Sequence, residues 1–184
     1  MKKLLTLALV AVLLLPCAAL AEWYPFGLTS ADDFETAREK VKAATGTEYR
    51  ETLSYISSSP SNYQLYGLPV NMFLVNRPSG SAWRLTILLN AQMTDYGTLY
   101  DIYTELVSRL GEPISVEPMI TNTDFDGNTT TASPFDVGRD QFAIDAVMSY
   151  PQDYRANFDG GVTYRIQEDS TGITACLYFD NPVK

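Results

Sequence analysis

Apolar residues recur at helical spacing in three segments of the chain, and this spacing predicts three amphipathic helices. The first begins at Ser30, where a Ser-x-x-Asp sequence resembles a capping box, and ends before Gly46. The second begins after Thr94 or Asp95 and ends at a Gly-Glu-Pro sequence, and the third lies around residues 138–149. The three apolar stripes are Phe34, Ala37, Val41 and Ala44; Tyr96, Leu99, Tyr100, Tyr103, Leu106, Val107 and Leu110; and Phe142, Ala143, Ala146 and Val147.

Other segments alternate apolar and polar residues with the period of two that a half-buried strand shows. In the clearest case, residues 82–90, an apolar face and a polar face can be separated, with Leu88 as the one exception: Trp83, Leu85, Ile87 and Leu89 against Arg84, Thr86 and Asn90. Polar stretches at 57–62 and 121–133 are predicted as loops. The predicted strands are 49–56, 63–66, 70–76, 82–90, 114–120, 154–158, 161–167 and 172–180.

These elements predict an α+β fold, in which an antiparallel sheet built of meanders carries two to three helices mainly on one face. A helix followed by strands occurs in both halves of the chain, which suggests two similar halves sharing one sheet.

The N-terminus is typical of a cleavable signal peptide spanning residues 1–21. Lys2 and Lys3 precede an uncharged apolar run at 4–15, and Ala19-Leu20-Ala21 has the small outer residues that signal peptidase prefers. The apolar run is too short to favour a membrane-spanning helix. We therefore expect residues 22–184 to form a single globular domain, secreted or in the cell envelope. Cys17 could attach a lipid, but the proline before it departs from the usual Leu-Ala-Gly-Cys pattern.

The charge of the chain excludes two classes of binding partner. The full chain has 13 basic and 22 acidic residues, and removal of the two signal lysines changes the formal charge from −9 to −11. Nucleic acids and anionic membrane surfaces need a basic face, so neither is an expected partner. Cys176 is the one cysteine outside the signal segment. It could form an intermolecular bridge, but its strand-like surroundings favour a buried position.

The sequence resembles small exported bacterial proteins of helix-plus-sheet build. The residues that carry the likeness are Tyr66-Gly67-Leu68-Pro69-Val70, a following hairpin, and Leu99-Tyr100-Asp101 through Leu110-Gly111-Glu112-Pro113. In layout they are similar to the beta-lactamase-inhibitor-protein and SmpA/OmlA envelope folds. Those relatives include protein-binding modules, so the resemblance implies binding more than catalysis, and it implies no particular site residue.

Several catalytic chemistries are excluded because the chain has no histidine. Ser-His-Asp and Cys-His catalysis, histidine zinc ligation and histidine pH switching all need one. Two acids can hydrolyse a glycosidic bond without histidine. The candidate acids are Asp136, Asp140, Asp145, Asp153 and Asp159, although in so acidic a chain a solvated surface also explains them.

One segment resembles the front half of a calcium loop, because oxygen-bearing side chains alternate before a glycine. Its candidate ligands are Asn122, Asp124, Asp126 and Asn128, but Ser133 stands where a bidentate acid is expected. An Asp-Gly-Asn surface turn explains the same residues. No cofactor is therefore expected, apart from a weak calcium site.

Tyrosines near turns offer a second type of site, since tyrosine is enriched at interfaces. The candidates for a partner surface are Tyr63, Tyr66, Tyr150 and Tyr154. From these features we expect a non-enzymatic binding module acting on a protein or carbohydrate outside the cytoplasm. The alternative is a carboxylate-dependent hydrolase of an extracellular polymer such as a glycan.

The signal-peptide interpretation predicts that the secreted product begins at Glu22. Intact-mass spectrometry of the exported protein measures this directly. A product that retains Cys17 with an attached lipid would contradict the prediction.

Overall fold

The computed structural model describes residues 24–60, 62–91, 96–123, 125–148, 153–169 and 172–182. Within them lie three α-helices, eleven strands and two short 3-10 helices at Pro25–Gly27 and Asp159–Gly161. The helices are α1 (Phe34–Thr45), α2 (Tyr96–Leu110) and α3 (Arg139–Met148). The strands are β1 (Arg50–Glu51), β2 (Tyr55–Ser58), β3 (Gln64–Leu65), β4 (Leu68–Asn76), β5 (Ser81–Ala91), β6 (Ser115–Glu117), β7 (Ile120–Thr123), β8 (Thr129–Ala132), β9 (Asp153–Phe158), β10 (Val162–Asp169) and β11 (Gly172–Pro182).

Nine strands form one antiparallel sheet in the order β1-β2-β4-β5-β11-β10-β9-β6, with β3 paired to β4 beside β2. Each half of the chain thus contributes a set of strands that runs in sequence order from an edge of the sheet to its centre. The two sets meet where β5 pairs with β11 along almost their whole length. The α+β prediction is confirmed.

The helices cover only one face of this sheet. On β5 the side chains of Trp83, Leu85, Ile87 and Leu89 are all fully buried, and the same alternation runs through β4, β9, β10 and β11. Together with the buried stripes of the helices they form one contiguous core. The other face, called the open face below, carries the alternate residues of each strand.

The first helix begins later than predicted. Asp33, rather than Ser30, is the N-cap, because its carboxylate accepts a hydrogen bond from the Thr36 amide at 2.8 Å. Its buried stripe ends with Thr45 instead of Ala44, which is exposed. Gly46 ends the helix in the left-handed conformation at φ 60°.

The second helix matches its predicted stripe, and Ile102 joins the buried residues. Its predicted cap residues Thr94 and Asp95 lie outside the described residues. In α3 Phe142 is buried and Ala143 is half-buried, as predicted. The side chains of Ala146 and Val147 are outside the described set.

One predicted strand is interrupted by a turn, and the predicted loop at 121–133 contains strands. The segment 49–56 is split into β1 and β2 by a turn, in which the Thr52 hydroxyl accepts the amides of Ser54 and Tyr55. The predicted loop at 121–133 is mostly a hairpin of β7 and β8. Threonines occupy three of the four positions of β8, and their β-branched side chains favour an extended chain.

Trp83 is held by the N-terminal segment. Its ring lies edge-on to Tyr24 with centroids 5.2 Å apart, and its Nε1–H donates to the Asp32 carbonyl at 3.1 Å. The two apolar stripes, each in need of a cover, also predict that this strand contacts α2 through Leu99, Tyr103 and Leu106. These α2 residues are buried in the same core as the β5 stripe.

Cys176 is buried on β11, as predicted, and it is a free thiol. In the described part of the chain, none of the helices combines the length and apolar character that crossing a bilayer requires.

Substitution Ile87→Ala is expected to lower the free energy of unfolding by about 2–5 kcal/mol, through lost burial and the cavity left behind. Asn90→Ala on the exposed face of the same strand is the matched control, with an expected change within about 0.5 kcal/mol. Denaturant melts measure both. A loss below about 0.5 kcal/mol for Ile87→Ala would contradict its central place in the core.

Candidate functional site

Three arginines come together on the open face from sequence positions far apart. Arg155 on β9 lies directly opposite Arg165 on β10, and Arg84 on β5 lies across β11 from Arg165. Each occupies a polar position of a strand whose neighbouring residues are buried on the helical face. The strand period of two therefore directs all three guanidinium groups to the same side of the sheet.

Two of these arginines are held in place by aspartates. Arg165 binds Asp153 through Nε–H and Nη2–H, with both donor–acceptor distances 2.7 Å. Arg84 binds Asp180 in the same bidentate way, also at 2.7 Å for each hydrogen bond. A guanidinium has five N–H donors, so each pair orients the side chain and leaves three N–H groups for other partners.

Tyr178 lies between these two arginines. The guanidinium carbon of Arg84 is 6.0 Å from the centroid of its ring, at the outer limit of a cation–π contact. Burial, and after it the interaction with the neighbouring Cys176 thiol, raises the pKa of Tyr178, while Arg165 acts in the opposite direction.

The three arginines line a shallow cleft of about 290 Å³, called the arginine cleft below, with Asn157, Thr163, Tyr178 and Asp180. Its polar lining is already hydrogen-bonded. Thr163 donates to Oδ1 of Asn157, and Nδ2 of Asn157 donates to Ser115, both at 3.0 Å. The lining is thus ordered before any ligand binds.

Arg155 differs from its two neighbours, because no carboxylate among the described residues lies within ion-pair distance of it. Its two cross-strand neighbours are Arg165 on β10 and Glu117 on β6. Like charges directly opposite each other on neighbouring strands are destabilising, and opposite charges are favourable. Asp153, Asp180 and Glu117 equal the three arginines in number, but only Arg84 and Arg165 are bound directly by a described carboxylate.

An apolar groove lies on the same face beyond β5. It has a volume of about 490 Å³, and its apolar walls are Tyr55, Met72 and Leu74. Asn76, which lines this groove, is paired in register with Arg84 of the arginine cleft. The arginine cleft and the apolar groove are therefore adjacent.

One of the tyrosines predicted for a partner surface lies in the core. Tyr154 is only 7% exposed and packs near the rings of Phe135 and Phe142, so its prediction as a partner-facing residue is wrong. Strand position explains this, because Tyr154 lies on the helical face of β9.

The other tyrosines are less buried. Tyr63 lies edge-on against Phe73 with centroids 5.1 Å apart, and Tyr66, at φ 53°, is half-buried in the turn before β4. Burial raises the pKa of Tyr66. Tyr150 is outside the described residues.

Among the acids considered for glycoside hydrolysis, Asp153 is committed to Arg165. The Arg165 hydrogen bonds lower the pKa of this carboxyl, which is opposite to the shift a general acid needs. Asp136, Asp145 and Asp159 each accept a hydrogen bond from a group within four residues of the chain, and Asp140 is exposed. These contacts give each acid a local structural role.

The calcium-like segment folds as the β7–β8 hairpin. Asn122 is paired in register with Thr130, and Asp126 and Asn128 are exposed near the tip. Ser133 follows β8 at the base of the hairpin. Asp124 and the side chain of Asn122 lie outside the described residues. Among those that are described, no group of three acid or cysteine side chains could hold a metal ion.

The sequence analysis separates Arg84 from the apolar face of its strand but does not single out Arg155 or Arg165. A usable signal is present, since both arginines alternate with apolar residues in strand-like segments. Their opposition depends on the β9–β10 register, and the approach of Arg84 depends on the long-range pairing of β5 with β11.

No protein-family model, no curated protein and no solved structure matches this chain. The likeness in layout to the beta-lactamase-inhibitor-protein and SmpA/OmlA folds accordingly stays an expectation drawn from the sequence.

Calcium at about 1 mM is expected to change the melting temperature little relative to chelator. An affinity in the weak extracellular class, about 10⁻⁴ to 10⁻³ M at best, limits the stabilisation near Kd to about RT ln 2, or about 0.4 kcal/mol. Differential scanning calorimetry measures the shift. A rise of about ten degrees that disappears in the Asp124→Ala/Asp126→Ala variant would show a structural calcium site.

Proposed function

We propose that the mature protein is a non-catalytic binding module outside the cytoplasm, and that it holds a ligand with an anionic group in the arginine cleft. The observation that carries this proposal is the cross-strand pair of Arg155 and Arg165, in which no described carboxylate lies within ion-pair distance of Arg155, although Glu117 is its register neighbour on β6. The signal-like segment 1–21 supports export.

The electrostatic repulsion between Arg155 and Arg165 supports a role in binding an anion. A sheet position opposite Arg165 is filled more favourably by a neutral or acidic side chain, since like-charged pairs lower stability by a few tenths to about 1 kcal/mol. A carboxylate, sulfate or phosphate between Arg155 and Arg165 would remove the repulsion. Guanidinium groups suit these anions because their planar N–H donors can form two parallel hydrogen bonds.

Preorganisation supports the same proposal. Asp153 and Asp180 hold the neighbouring guanidinium groups through bidentate hydrogen bonds, so a ligand would not need to order those two long side chains. Ordering a flexible side chain at an interface costs about 0.5–1.5 kcal/mol. The hydrolase alternative is not carried forward, because the candidate acid nearest to this cleft, Asp153, is ion-paired with Arg165.

The proposal is tested by titrating inorganic sulfate at constant ionic strength while recording the arginine Nε–H signals by NMR. In the unmodified protein the signals of Arg84 and Arg165 are expected to shift and to saturate. Arg155→Gln should abolish saturation while changing the stability of the ligand-free fold by less than about 1 kcal/mol, because it removes the repulsion by Arg165 and the attraction of Glu117 together.

Arg109→Gln is the matched control, since it removes the same charge from α2, which packs against the other face. It should retain saturable binding. Weak, linear shifts of the same size in all three proteins would overturn the proposal, because they would indicate only general screening of surface charge.

A further inference from the structure

The arginine cleft and the apolar groove belong to one continuous row of side chains. In register, Arg155 on β9 faces Arg165 on β10, which faces Cys176 on β11. The row continues from Cys176 to Leu88 on β5 and to Met72 on β4. Across five neighbouring strands the open face therefore changes from two cations to three uncharged, weakly polar or apolar side chains.

A second row parallel to the first shows the same change. Thr163 faces Tyr178, which faces Thr86, which in turn faces Leu74. Neighbouring strands lie about 4.8 Å apart, so Leu88 is about 10 Å from Arg165 along the row and Met72 is about 14 Å away. Leu88, Met72 and Leu74 are half-buried, which leaves apolar surface accessible from the open face.

We infer that the ligand of this face is a free single-chain anionic amphiphile, such as an alkanoate, with its carboxylate between Arg155 and Arg165 and its chain over Leu88, Met72 and Leu74. This inference rests on the proposed function, which supplies the anionic end, and adds an apolar chain of about 10–14 Å. A small hydrophilic anion would leave the apolar groove unused, and a neutral apolar molecule would place no anionic group between Arg155 and Arg165.

The charge of the protein favours a free amphiphile over a membrane surface. The arginine cleft is a small group of three cations in a chain with 22 acidic and 13 basic residues. An anionic bilayer would face many of those acids at once and be repelled, whereas a single molecule meets only the cleft. The relevant surface is also a sheet face, and no described helix presents a long apolar stripe to solvent on that side.

Isothermal titration calorimetry with acetate, octanoate and 1-octanol separates the two ends of the site. Octanoate is expected to bind at least about tenfold more tightly than acetate, the gain for moving about two CH₂ groups out of water. It should also bind at least about tenfold more tightly than 1-octanol, which has the chain but no charge. Arg155→Gln should remove octanoate binding.

Leu74→Ser tests the apolar end. It should reduce the affinity for octanoate about threefold to tenfold and leave the NMR response to sulfate unchanged, which also shows that the variant is folded. Ile144→Ser is the matched control, because Ile144 is an exposed apolar residue on α3 away from the open face. It should bind octanoate as the unmodified protein does.

The outcomes distinguish this inference from the proposed function. If sulfate binds but octanoate binds no more tightly than acetate, the amphiphile is wrong and the anion site stands. If neither anion binds, both proposals fail. The protein is also sedimented with vesicles of phosphatidylglycerol and phosphatidylcholine. If it bound them through Arg155 and Leu74, the ligand would be a membrane surface and the inference of a free amphiphile would be wrong. A dimer that Leu74→Ser converts to monomer would assign the apolar groove to a second copy instead.

Discussion

The pairing of β5 with β11 is the interaction on which the rest of the structure depends. These two strands are long, lie at the centre of the sheet, and join a set of strands from the first half of the chain to one from the second. Every core side chain of β5, from Trp83 to Leu89, is fully buried, so the joint lies in the most protected part of the molecule. Without it, each half would leave a long strand edge unpaired, which is a liability for aggregation.

A few buried polar contacts close the helical side of this joint. The Asn181 side-chain amide on β11 donates to the carbonyls of Ser30 and Asp32, at 3.1 and 3.2 Å, and Trp83 on β5 donates to the same Asp32 carbonyl. The Tyr24 hydroxyl donates to the Gly160 carbonyl at 2.8 Å. Because buried polar groups are costly when unpaired, these bonds fix where the N-terminal segment crosses the sheet.

The helices cover only one face of the sheet, and this has a direct consequence for function. An antiparallel sheet can expose one face to water when that face is polar, and most of the open face meets this requirement. The pairing of β5 with β11 places Arg155 and Arg165 of the second half beside Arg84 and the apolar groove of the first half. Both halves therefore contribute to the candidate site, and neither contains it alone.

Which residues share a face follows from the sequence alone, because strand and helix periods depend on neighbouring residues only. The sequence thereby identified the buried stripe of β5, most of the α2 stripe and the α+β class. Two local predictions were wrong. The N-cap of α1 is Asp33 and not Ser30, and the segment 121–133 contains strands because its threonines favour an extended chain. Only the tertiary structure placed Arg155 opposite Arg165 and Arg84 beside them, since cross-strand register and strand order follow from contacts between residues far apart in the chain. The same long-range pairing turned Tyr154 inward and left the arginines on the open face.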